Sequence, residues 1–472
     1  MNRLIKDTAY YSIGSFTAKA LNFIFLPIYL NYLSPSDYGI VSSMQVFGGI
    51  LLIFLTFGLE RSIYRLIYDY KTETEKRNFL GTISISVFFL ALFICSILFI
   101  GNSLVGQIFK NISFYPYFAY AICTAFFSCF ELVPLIALQV KQRAKLYLKY
   151  SLILLVIKVF PVLFFVVYQQ EGAVGMLKGG TAGGLLGALI IIPLTLKQIN
   201  LKFNKKILRD VLIFCLPLVP LVISSWVVNM SDRIFIERLY GTYDVGIYSL
   251  GYKIGQLVQF LSVAVLMAYN PYFYKIANLE DQVGSKNKLV KANNYIVLFV
   301  LCISFLIAFF SKEIITWFFD NSYLAVIRII PLIALGGFFM QLVSLQNLSF
   351  YQEKKTFQIM TINIVAACFN IVLNYFLILT YGYLGAAWAT VITQFLLFLL
   401  IYKYAKKYFY IPYNWIQILP IMIIFTLIVI LNHIYIPVGF LTSSIKFICV
   451  LLVLLYLMYK NKNYLTVYFT NK

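Results

Sequence analysis

The sequence predicts an all-α polytopic membrane protein of about fourteen spanning helices, built as two related six-helix lobes. Three observations lead there: composition, the sidedness of the basic residues, and an internal repeat. Of 472 residues, 62% are hydrophobic and only 12% charged, more apolar surface than a water-soluble domain can cover. The formal charge of +21 comes from 38 Lys and Arg against 17 Asp and Glu. These bases are scattered through short loops and are not gathered in one basic domain, which points to membrane orientation and away from nucleic acid.

A spanning helix takes roughly 20 mostly apolar residues. Such runs lie near residues 8–31, 38–59, 79–101, 114–140, 146–168, 173–196 and 209–231, then 245–271, 293–316, 326–350, 356–380, 383–402, 415–436 and 440–459. Alternate loops differ sharply in charge: 28 of the 38 Lys and Arg fall on one side and seven on the other, leaving Lys19, Lys158 and Lys253 within spans. This asymmetry predicts that both termini are cytoplasmic. The amino-terminal run carries polar residues and shows no small-residue cleavage site, so it reads as a retained first helix. No loop reaches the size of a folded domain, which places the protein's work inside the membrane.

The segment from Tyr38 to Ser43 (YGIVSS) returns as Val245 to Leu250 (VGIYSL), each time opening an even-numbered span. Gly172-Ala173-Val174-Gly175 before span six is echoed by Gly382-Tyr383-Leu384-Gly385 before span twelve. A repeat of six helices gives both halves the same orientation, related by an axis along the membrane normal. The expected division is residues 1–200 for the first lobe, 201–410 for the second, and 411–472 for two additional spans.

The second half also contains Asn363, then Asn370-Ile371-Val372-Leu373-Asn374, then Gly382-Tyr383-Leu384-Gly385-Ala386-Ala387-Trp388-Ala389-Thr390. This pattern resembles the N…NxxLN…GxxGAAxAT motif of polysaccharide exporters. Leu33-Ser34-Pro35-Ser36-Asp37-Tyr38-Gly39 after span one and Gln142-Arg143-Ala144-Lys145 after span four have the same look. The family is that of Wzx-type flippases of O-antigen repeat units, within the multidrug/oligosaccharidyl-lipid/polysaccharide (MOP) superfamily. The resemblance covers nearly the whole chain and implies a MATE-like fold and alternating access in a bacterial cytoplasmic membrane. It further implies transfer of an undecaprenyl-pyrophosphate-linked oligosaccharide to the outer leaflet, with polymerase and chain-length proteins as partners beside the lipid substrate. No cofactor is implied, and a coupling ion is left unspecified.

Independently of family, Ser12, Ser15, Lys19 and Asn22 are spaced 3, 4 and 3 apart and share one face of the first span. At 1.5 Å per residue Lys19 lies roughly 16 Å into the membrane. An ammonium there costs about 3 kcal/mol unless it meets water or a partner. Span eight repeats the pattern with Ser249, Lys253, Gln256 and Gln259, and span seven adds Ser225, Asn229 and Asp232 beside Arg233. Lys19, Lys253, Arg233 and Arg61 are the candidate headgroup cations, since cationic side chains offset the desolvation of a pyrophosphate. Ser12, Ser15, Asn22, Asn229, Ser249, Gln256, Asn370 and Asn374 are candidate cavity groups for sugar hydroxyls. The competing structural readings are that the lysines pair with acids or snorkel and that the asparagines bond helix to helix.

Glu131 and Lys158 lie 13 and 14 residues either side of a turn near residue 144, hence at similar depth, and are expected to form an ion pair. Its role is either structural or ion-coupling. The seven cysteines are scattered singly in apolar segments and read as packing residues. His433 is the only histidine, no phosphate-binding glycine loop is present, and no carboxylate pair stands out, so a transporter is expected and not an enzyme. A drug or small-molecule exporter of MATE type is the alternative.

Overall fold

The computed structural model describes residues 23–278, 282–409 and 411–435, with Thr17, Ala20, Leu21, Gly439, Thr442, Ser444 and Lys446. Helical residues 23–30 lead into a Ser34 capping box, in which the Ser34 side chain accepts from the Asp37 amide, and this starts α1 (Pro35–Thr56). There follow α2 (Glu73–Ile100), α3 (Ala119–Val140), α4 (Ala144–Leu163), α5 (Gly172–Gln198), α6 (Lys205–Cys215), α7 (Val219–Met230) and α8 (Asp232–Tyr240). The second half continues with α9 (Thr242–Gly255), α10 (Leu257–Ala277), α11 (Gln282–Phe309), α12 (Ser311–Phe318), α13 (Ile330–Gln352), α14 (Thr356–Ala405) and α15 (Trp415–Tyr435).

Eleven helical stretches among the described residues are long and apolar enough to span a membrane. One of them, α14, contains two spans joined at Gly382, whose φ of 59° is a left-handed conformation that glycine adopts without strain. Half of the first predicted span and nearly all of the last fall outside the described residues. Two predicted spans are broken. Span seven divides into α6 and α7 around Leu216–Leu218, where Pro217 and Pro220 supply no amide donors. Span eight divides into α9 and α10 at Gln256. Interrupted helices at membrane depth are tolerated where neighbouring protein or a cavity satisfies the freed backbone groups.

The apolar interior forms two large clusters. One gathers buried side chains from Val41 to Cys215, the other mainly from Ile236 to Ile418. The boundary is crossed in both directions: Ile207, Val211 and Cys215 of α6 belong to the first cluster, while Leu26, Tyr29, Leu30 and Leu33 belong to the second.

The halves meet where α1 crosses α9. A Cβ on Gly39 would overlap the Thr242 carbonyl, and one on Gly246 would overlap the Pro35 carbonyl. Ser42 Oγ and Ser249 Oγ lie 2.6 Å apart at a separation of 207 residues. Gly39 and Gly246, and Pro35 and Thr242, keep that same offset, so residue i meets j′ as j meets i′. Such reciprocity is the mark of a two-fold relation whose axis runs through the crossing.

Candidate functional site

The α1–α9 crossing lies at the charge-poor end of the molecule, and further contacts reinforce it there. The fully buried Glu237 carboxylate of α8 accepts hydrogen bonds from the backbone amides of Lys110 (2.8 Å) and Asn111 (2.6 Å). The adjacent Arg238 donates to the carbonyls of Ile108 (2.9 Å) and Gln107 (2.7 Å). One helical turn of the second half thus grips both faces of a loop from the first. The Tyr323 hydroxyl donates to the Leu33 carbonyl at 2.9 Å, fastening the chain just before α1.

Moving away from this end, the crossing loosens. A Cβ on Gly48 would meet no atom within 4 Å, and Gln45 of α1 and Ser225 of α7 are exposed. Lys253, in the last turn of α9, is half-buried and pairs with no carboxylate among the described residues. Gln256 stands beyond it at the break between α9 and α10, also half-buried. Near the charge-rich end a pocket of about 250 Å³ is bounded by α1, Leu132 of α3 and the α6–α7 junction, and Arg61 and Glu60 line it. Arg61 is 49% exposed and approaches Glu60 only at 3.6 Å. Burial raises the Glu60 carboxyl above the usual range, a push partly opposed by a backbone hydrogen bond and by Arg61.

Several candidate residues sit elsewhere than expected. Arg233 is not an available headgroup cation: it is 4% exposed, lies 2.8 Å from Asp232 Oδ1 and donates to the Asn229 carbonyl at 2.9 Å. Its guanidinium covers the Tyr252 ring at 4.2 Å, and the Tyr248 hydroxyl donates to the other Asp232 oxygen at 2.5 Å. A buried arginine so neutralised has no charge to spare for a ligand. Asn229 supports this cluster, its amide donating to the Ser225 carbonyl and its Oδ1 3.4 Å from the Tyr252 hydroxyl.

Ser249 is likewise not a cavity group, because the α1–α9 crossing buries it against Ser42. Asn370 and Asn374 are each 1% exposed. Asn374 donates to Asn370 Oδ1 and Asn370 donates to Thr393 Oγ1, both at 3.0 Å, tying the two arms of α14 together. Unpaired amides inside an apolar bundle are costly; these bonds give each amide nitrogen an acceptor, while Asn374 Oδ1 has no partner among the described residues. Ser12, Ser15, Lys19 and Asn22 lie outside the described residues.

Glu131 Oε2 of α3 lies 2.6 Å from Lys158 Nζ of α4. A row of glycines on α5 allows this approach: a Cβ on Gly187 would press on Glu131 Oε1, and one on Gly183 on the Lys158 backbone. Glu131 is 10% exposed at its side chain, Lys158 38%, and Glu131 Oε1 has no hydrogen-bond partner among the described residues.

Two features escaped the sequence. The buried pair of Glu313 and Lys446, 2.5 Å apart, joins α12 to the last predicted span. The Glu237 grip is the other. An acid beside an otherwise apolar stretch was the available signal in both cases, but a partner that is a backbone amide or lies over a hundred residues away leaves no pattern to read. Among the described residues no three His, Cys, Asp or Glu converge on a metal-binding arrangement.

Residues 4–277 match the family model described as polysaccharide biosynthesis protein, and residues 217–376 match the MatE model. The chain is 27% identical over 283 residues to Lsg locus protein 1 of Haemophilus influenzae, a stretch covering 58% of this chain and 66%, just under two thirds, of that protein. Its fold is similar to that of the lipid II flippase MurJ in an inward closed conformation, with TM-score 0.74, 17% identity, and 96% and 99% of the two chains covered. An inward-facing multidrug resistance MATE family transporter of the MOP superfamily is also similar, with TM-score 0.62, 15% identity, and 84% and 94% covered. Matched by the family model over more than half its length, the chain belongs to the polysaccharide biosynthesis protein family and has the fold of the MOP superfamily.

Proposed function

We propose that this protein flips an undecaprenyl-pyrophosphate-linked oligosaccharide from the cytoplasmic to the outer leaflet by alternating access. The observation that carries the reading is the uneven seam between the halves. Reciprocal glycine and serine contacts close α1 on α9 at the charge-poor end; at Gly48 that contact has ended, α1 meets the second half next through Gly49 and Trp226, and the Arg61 pocket opens between α1 and the α6–α7 junction nearer the charge-rich end. Charge asymmetry makes the open end cytoplasmic, which is the leaflet where such lipids are assembled. Both termini then lie in the cytoplasm, and the membrane is the bacterial inner membrane.

An ammonium without a carboxylate partner among the described residues, Lys253, suits an anionic ligand that must leave again, because lysine is a point charge with no rigid fork. Lys19 is its counterpart in the first span. Polymerase and chain-length proteins of the same polysaccharide pathway are the expected partners. The match to the MatE model over residues 217–376 favours a second reading, export of a drug-like small molecule through the same fold.

Lys253→Ala and Lys19→Ala separate the two. The flippase reading expects both variants to lose polymer export at unchanged protein level while tolerance of cationic drugs stays as in wild type. Normal export in both variants, with drug tolerance lost, would favour the exporter.

A further inference from the structure

At the charge-rich end, a crevice of about 780 Å³ runs between α2 and α6. Phe57, Phe89, Phe93, Phe203, Leu212 and Leu216 line it. Ser86 is the one polar side chain on its wall, and its hydroxyl is spent on the Thr82 carbonyl at 2.7 Å. Phe89 and Phe93 are 62% and 64% exposed, so the crevice opens sideways, where lipid surrounds the helices. A hydrocarbon-walled space at this depth is filled favourably by a hydrocarbon chain and poorly by water.

What kind of chain follows from what the crevice adjoins. Phe57 borders both this crevice and the Arg61 pocket, and Leu216 of the crevice precedes Leu218 of the pocket by half a turn. Lys202, Lys205, Lys206 and Arg209, which flank the lining residues Phe203 and Leu208 in sequence, are all exposed, with Asp210 the only acid in that run. A phospholipid packed around the protein would leave its phosphate at this basic rim. The adjacency of a cationic pocket, with Phe57 between the two spaces, fits a lipid whose charged end passes into the protein while its tail stays outside.

We infer that the α2–α6 crevice is a lateral entrance that holds the prenyl chain of the lipid substrate while Arg61 receives its phosphate, an assignment that rests on the flippase reading. The basic rim gathers the anionic lipid from the leaflet. Glu60 sets the threshold for admission, because a phosphate must displace its 3.6 Å contact with Arg61. Neutralising Glu60 leaves Arg61 to the phosphate alone.

The test is photocrosslinking in intact membranes from the full-length protein carrying a benzoylphenylalanine at Phe89, with a second site at Ile424, 53% exposed on α15, as the lipid-facing control. Mass spectrometry identifies the captured lipid. A prenyl-phosphate-linked adduct at residue 89 and only phospholipid at 424 is expected, with the prenyl adduct several-fold weaker in Arg61→Ala and stronger in Glu60→Gln. Phospholipid alone at residue 89, or a prenyl adduct of equal strength at both sites and indifferent to Arg61→Ala, overturns the assignment. The two readings fail separately. Accumulation of lipid-linked oligosaccharide in a deletion strain with only phospholipid captured at residue 89 refutes the entrance and leaves the flippase standing. Capture of prenyl lipid at residue 89 without accumulation refutes the flippase.

Discussion

The two halves each bury an acid beside a base, and they treat the pair differently. In the second half, Asp232 and Arg233 are 2% and 4% exposed; one Asp232 oxygen meets Arg233 and the other accepts from Tyr248, while Arg233 Nη1 also donates to the Asn229 carbonyl and the guanidinium lies over the Tyr252 ring. In the first half, Glu131 keeps one oxygen without a partner among the described residues and Lys158 keeps 38% of its side chain exposed. A pair buried and enclosed in this way is a strut, since moving either member leaves a buried charge uncompensated. A pair with spare bonding capacity and an exposed partner can exchange a proton or a cation during a transport cycle. We propose the Glu131–Lys158 pair of the first half as the candidate for coupling and the Asp232–Arg233 cluster of the second as a structural strut.

Substitutions test that division in order of expected effect. Asp232→Ala strands Arg233 in an apolar interior and should cost about 3–5 kcal/mol of stability, read as loss of folded protein and a lowered unfolding temperature in detergent. Unchanged thermal stability would mean that the cluster is not a strut. Gly39→Ala drives a methyl group into the Thr242 carbonyl, and overpacking of this kind costs about 1–3 kcal/mol. Because the clash exists only while α1 and α9 are crossed, the variant should favour the form open at the charge-poor end, seen as raised labelling of a cysteine placed at Ser42. Gly246→Ala should match it, and a difference between the two would contradict the two-fold relation.

Glu131→Gln removes a charge but keeps the shape, and with Lys158 partly exposed its stability cost should fall below that of Asp232→Ala. Its transport should lose dependence on the driving ion gradient, whereas a purely structural pair would leave that dependence intact. The smallest effect is expected at Glu60. Burial raises its folded-state pKa, so the folded protein holds this proton more tightly than the unfolded chain. The stability gained is complete at low pH and is lost as pH rises through the raised pKa, above the ordinary glutamate value of about 4.3. Glu60→Gln should flatten that slope, and an unaltered pH profile of unfolding would show that Glu60 is not its source.

Much of the fold was legible because bilayer physics leaves so few options. Runs of apolar residues at spanning length and the bias of Lys and Arg to alternate loops outlined the helices, and YGIVSS echoed by VGIYSL pointed to the very segments that cross at Ser42 and Ser249. The site was less legible, because a helical stripe does not say whether it faces a cavity or another helix. Ser249 shares a face with Lys253, yet one is sealed in the crossing and the other stands past it. Arg233 looked free for the same reason, since the sequence cannot show Tyr248 and Tyr252 closing over it. For Asn370 and Asn374 the sequence leaves both a cavity and a helix-packing role open, and their bonds to each other and to Thr393 are those of the packing role.

The central claim is that lipid-linked oligosaccharide loads from the charge-rich side and leaves from the other. Its most direct test is mass spectrometry of lipid-linked species in a deletion strain, combined with an impermeant reagent that modifies only sugars on the outer leaflet. The predicted result is accumulation of an undecaprenyl-pyrophosphate-linked oligosaccharide that the reagent does not reach, and recovery of labelling when the wild-type protein is restored. Accumulated lipid that is fully labelled in the deletion strain, or no accumulation at all, would contradict it.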